Sequence, residues 1–123
     1  MVIRMTRAAP QWIERRSEPR EPVNFRARVL HGQGLAMWAD CVIKDLSPSG
    51  AKIELSHFHK LPPRFVLLHF EAGMAFEVVL KWRRADLAGM AFEAKHALEG
   101  EVPPHLKAAR DQYLALKPAL GLR

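Results

Sequence analysis

The chain has 123 residues, 49% of them hydrophobic and 26% charged, with 19 Lys or Arg against 13 Asp or Glu for a formal charge of +6. That length suits one domain, which can bury roughly two-thirds of its unfolded surface without a disulfide or metal staple. The composition excludes a depleted disordered chain and a fibrous repeat, and the single Cys41 excludes an internal disulfide or a cysteine-built zinc site.

Residues 1–22 carry Arg4, Arg7, Arg15, Arg16 and Arg20 among Pro10, Pro19 and Pro22, show no strand alternation, and read as a flexible basic arm. Ala8-Ala9-Pro10-Gln11 interrupts any apolar signal-peptide region, and the longest apolar run, Phe65 to Leu68, is strand-sized. A cytoplasmic protein without a membrane span is therefore expected. The first strand is Val23 to Val29: Val23, Phe25, Ala27 and Val29 share one face, and Asn24, Arg26 and Arg28 the other. His31 to Gly34 reads as a glycine-bearing hairpin loop, Ala36 to Leu46 as a long second strand, and Pro48-Ser49-Gly50 as its stop. Ala51 to Leu55 alternates again. After Pro62-Pro63 comes Arg64 to Phe70, apolar on both faces apart from His69. Met74, Phe76, Val78, Leu80 and Trp82 then point one way, with Glu77 and Lys81 opposite, and a last strand spans about Leu87 to Glu93. Pro103-Pro104 opens a C-terminal helix whose Leu106, Ala109, Tyr113 and Leu116 form one apolar stripe, and Pro118 ends it.

Short strands at regular spacing with no helix between them predict an all-β antiparallel barrel or sandwich. The expected organisation is an arm over 1–22, a six-stranded barrel over 23–100, and a helix and tail over 101–123.

Two segments carry chemistry. Arg15, Arg16 and Arg20 stand before the first strand on a proline-stiffened stretch. A guanidinium binds phosphate, pairs with the O6/N7 edge of guanine and stacks on its ring, which suits a guanine nucleotide or nucleic acid; a solvated tail that confers solubility is the plainer alternative. The second segment is Asp45-Leu46-Ser47-Pro48-Ser49-Gly50. Ser47 to Gly50 suits a type I turn, with proline second and glycine fourth. Asp45 either caps nearby backbone amides or accepts the two adjacent donors of a guanine edge; Ser47 offers a hydroxyl, and Gly50 permits close backbone approach to a ligand.

Arg16-x-x-x-Arg20 before the first strand, followed by Asp45-x-Ser47-x-x-Gly50 after the second, resembles the paired motif of the PilZ domain, the bacterial receptor family for cyclic di-GMP. Trp82 to Phe92 is similar to the family's closing hairpin. The resemblance implies a six-stranded antiparallel barrel that binds cyclic di-GMP without catalysis or cofactor. Arg16 and Arg20 would contact guanine and phosphate, Asp45 and Ser47 guanine or phosphate, and Gly50 would permit the turn. Arg15 would add a contact that favours an intercalated ligand dimer. Ligand would order the arm, and a downstream protein partner would read the new surface in trans; single-stranded nucleic acid is the competing ligand class, and a ligand-independent adaptor the competing role. Glu18 and Glu21 flank the first motif, where they would offset part of its positive field.

The remaining reactive residues have simpler readings. His57 and His59 could share a face as metal ligands but have no third ligand nearby in sequence, so no metal is expected. Cys41 reads as a core residue, Trp38 and Trp82 as strand packing, Trp12 as an anchor for the arm, and Arg83 and Arg84 as solvated turn charges.

Overall fold

The computed structural model describes residues 21–121. Six antiparallel strands form a closed barrel: β1 Glu21–His31, β2 Met37–Ser47, β3 Gly50–Glu54, β4 Arg64–His69, β5 Met74–Arg84 and β6 Leu87–Ala97. Their order around the barrel is β1-β2-β3-β6-β5-β4, and β4 closes it against β1 with Ala27 opposite His69 and Leu30 opposite Val66. A single 3-10 turn, Pro104–Leu106, leads into helix α1, Lys107–Leu116. Among the described residues no helix is long and apolar enough to cross a membrane.

Alternation fills the barrel. Ala27, Val29, Ile43, Ala51, Ile53, Phe65, Leu67, Phe76, Val78, Ala88 and Met90 form the interior cluster, with Phe92 stacked on Phe76 at 4.3 Å. Each large side chain among them contributes roughly 1.5–3 kcal/mol by leaving water. The two-sided apolarity of β4 has its explanation outside the barrel. Val66, Leu68 and Phe70 point outward and join Leu30, Ala75 and Leu98 beneath Leu106, Ala109 and Tyr113 of the helical segment. The predicted helical stripe is therefore the helix's buried face, and it covers the outside of β1 and β4. His69, which shares the inward face of Phe65 and Leu67, sits at one end of the barrel 4.7 Å from the Phe25 ring. Its Nδ1 accepts a hydrogen bond from the Ala72 amide.

Strand edges differ from the sequence reading where bulges intervene. In β5 the register slips between Leu80 and Trp82, so Trp82 leaves the core face of Met74, Phe76, Val78 and Leu80 and lies outside, opposite Gly89. A second slip beside Glu77 and Val78 lets β6 continue to Ala97, past the expected end at Glu93. The loop after β1 contains a 3-10 turn at Gln33–Leu35, with Gly32, Gly34 and Leu35 all at positive φ. Arg83 is not a solvated turn charge. Its guanidinium donates to the carbonyls of His59, Leu55, Ser56 and Ala85 at 2.7–3.1 Å and ties the segment after β3 to the β5–β6 turn.

Candidate functional site

The second motif is built on the β2–β3 hairpin. Ser47 pairs with Gly50, so Pro48 and Ser49 form a two-residue loop, and neither has positive φ, as a type I turn requires. The Ser47 hydroxyl is buried and donates to the Gly50 carbonyl at 3.3 Å. From the neighbouring strand, the Phe92 amide donates to the Ser49 carbonyl at 2.8 Å. A Cβ on Gly50 would overlap the Met90 carbonyl oxygen, so glycine is required there by the approach of β6. These contacts fix the turn from three sides.

Hairpin register then sets what stands beside Asp45. With Ser47 opposite Gly50, Asp45 falls opposite Lys52, and the ammonium meets its carboxylate at 3.0 Å. Asp45 thus stands in a cross-strand ion pair, with no backbone amide among the described residues donating to it, and keeps 22% of its side chain exposed. Lys52 was missed in the sequence reading, although counting outward from the two-residue loop finds it. On the other side, β1 begins with Glu21 opposite Leu46 and Pro22 opposite Asp45. The described chain therefore starts next to the motif turn. Arg15, Arg16 and Arg20 lie outside the described residues, as does Trp12.

The outward arginines of β1 have structural partners. Arg28 forms an ion pair with Asp40 at 2.7 Å, donates to the Gln112 side chain at 2.9 Å, and stacks on the Trp38 ring at 3.8 Å. Arg26 contacts Glu71 and donates to the Leu120 carbonyl at 3.1 Å. Between these strands and the end of the helical segment lies a groove of about 680 Å³, lined by Arg26, Arg28, Val42, Glu54, Leu116 and Leu120 among others.

The other reactive residues have occupations of their own. Burial pushes the Cys41 thiol up to about 12, so it stays protonated and unreactive at neutral pH. His57 pairs with Asp86 at 2.8 Å and holds that carboxyl below its ordinary range, while His59 meets His31 at 2.9 Å between Nε2 atoms. Among the described residues no three His, Cys, Asp or Glu side chains gather as metal ligands would.

The sequence matches the family model for the PilZ domain over residues 14–101. No curated protein matches it. Among solved structures, the PilZ domain of CeSA from a cellulose-synthesizing bacterium aligns with 16% identity and a TM-score of 0.46, over 84% of this chain and 98% of that one.

Proposed function

Because the chain belongs to the PilZ family, whose members are in general cyclic di-GMP-binding domains rather than enzymes, we propose that it is a cyclic di-GMP receptor with its site on the β2–β3 hairpin. The observation that carries this reading is the pairing of Glu21 with Leu46. Arg20 is one peptide bond from Glu21 and Arg16 four residues before Arg20, so the chain tethers Arg20 beside the hairpin and Arg16 within about 18 Å of Glu21.

Each residue has a defined part in the proposal. Arg16 and Arg20 supply forked donors to phosphate and guanine, and Arg15 adds a stacking or phosphate contact that favours an intercalated ligand dimer. Asp45 accepts the N1 and exocyclic amine protons of guanine. Lys52 orients that carboxylate and leaves an ammonium beside the ligand phosphates. Ser47, buried and already donating to Gly50, acts chiefly by holding the turn. Contacts from both motifs to one ligand would order the arm against the barrel, because only the ordered state makes both sets at once. The reordered surface is what a protein partner would read.

Isothermal titration tests the receptor reading. Saturable heat at micromolar cyclic di-GMP, unchanged by excess single-stranded oligonucleotide, is the expected result. Absence of binding at that concentration refutes the reading, and competition by the oligonucleotide transfers the site to nucleic acid.

A further inference from the structure

The loop after β3 and the turn between β5 and β6 meet at the barrel end away from the hairpin motif, since the five residues Gly50–Glu54 put about 13 Å between the two ends of β3. Between loop and turn lies a cavity of about 350 Å³, enough for a small organic ligand, walled by His57, His59, Lys60 and Arg83 over Leu61 and Leu80. Among the described residues no carboxylate lines it. The wall is fixed before any ligand arrives. The His57 amide and Nδ1 both donate to Asp86 Oδ1 at 2.8 Å, the Phe58 amide donates to the Ser56 hydroxyl at 3.2 Å, and the His59 amide to the Ser56 carbonyl at 3.0 Å. Arg83 fastens the same loop through four of its five N–H donors.

We propose that this cavity binds a small organic phosphate, at a site separate from the hairpin motif and independent of the receptor reading. Its wall holds two permanent cations, Lys60 and Arg83, and a phosphate monoester brings two negative charges with three acceptor oxygens. The donors for those oxygens are at hand. Among the described residues the Lys60 ammonium has no hydrogen-bond or ion-pair partner, and one N–H of Arg83 remains unused. Each histidine also keeps one ring nitrogen uncommitted: Nδ1 of His57 is engaged by Asp86, and Nε2 of His59 by His31. An imidazole that carries a proton donates from both nitrogens. Leu61 and Leu80 supply the other half of the recognition, an apolar floor that suits a flat hydrocarbon group and gains nothing from inorganic phosphate. Because the loop is already braced, binding orders little beyond the Lys60 side chain.

Phenyl phosphate is the probe, titrated near neutral pH at fixed ionic strength while NMR follows the histidine ring signals. The His57 and His59 signals are expected to shift saturably with a Kd of roughly 1 mM, as suits so small a ligand. His96 and His105, which pair with Glu77, should stay in place. Inorganic phosphate should bind more weakly, and phenol should produce no shift. Lys60→Ala should weaken phenyl phosphate roughly five- to tenfold, whereas Lys107→Ala, which removes a helix-surface partner of Asp111, should leave it unchanged. Lys60 makes no contact that the fold uses, so its variant folds. Unsaturable shifts, equal shifts at all four histidines, or equal effects of the two lysine variants overturn the inference. Displacement of phenyl phosphate by cyclic di-GMP overturns it too, because the cavity would then belong to the nucleotide site.

Discussion

Gly50→Ala separates the scaffold of the motif from its chemistry. A Cβ at this position overlaps the Met90 carbonyl oxygen of β6, which belongs to a strand and cannot swing away like a flexible side chain. The hairpin must therefore lift. Lifting it strains two further contacts, the Ser47 hydroxyl to the Gly50 carbonyl and the Phe92 amide to the Ser49 carbonyl. At about 1 kcal/mol net for each hydrogen bond, with a comparable amount for displaced strand pairing, the expected cost is roughly 2–4 kcal/mol. For a domain of this size that lowers Tm by roughly 10 °C. Calorimetric melting of the two proteins reads it directly. A variant melting within about 2 °C of the wild type would refute the reasoning, because the β3–β6 approach would then tolerate a methyl group and glycine would be required for something else.

Arg16→Ala or Arg20→Ala should lose roughly tenfold or more in cyclic di-GMP affinity by calorimetry with Tm unchanged, since a charged hydrogen bond contributes about 1.5–3 kcal/mol; an unaltered affinity would remove the arm from the site. Arg83→Ala deprives the carbonyls of Leu55, Ser56, His59 and Ala85 of their donor, and hydrogen exchange should speed up in the segment after β3 while the barrel strands stay protected. Burial lowers the pKa of His69, partly opposed by Glu71, and burial with the nearby His59 lowers that of His31. A histidine whose folded pKa is depressed binds fewer protons folded than unfolded. Stability is therefore complete above the unfolded pKa of about 6.5 and declines as pH falls below it; melting curves between roughly pH 7 and 5 should show this, and His69→Gln should flatten the dependence.

Alternation was readable where a strand has one dry face: the parity of Val23, Phe25, Ala27 and Val29 reappears as packing against the interior. It failed at Trp82, since a bulge costs one unpaired residue and nothing local in Leu80-Lys81-Trp82 announces it. The only hint was Gly89, a residue without a side chain at a position that the indole covers. At the site, the turn followed from Pro48 and Gly50, yet the reason for Gly50 lies in β6, some forty residues on, and only tertiary pairing reveals it. Arg83 was misjudged because charge near a turn is usually solvated, whereas here unpaired carbonyls at the barrel end attract it.

The outward side chains of β4 bear on what counts as the folding unit. The family match ends at residue 101, but Val66, Leu68 and Phe70 are dry only because Leu106, Ala109 and Tyr113 lie over them. A chain cut at the end of the match would expose a contiguous apolar strip on a strand, the kind of surface that drives aggregation. Barrel and helix must therefore melt together in a single cooperative transition, and the helix behaves as a seventh wall of the core.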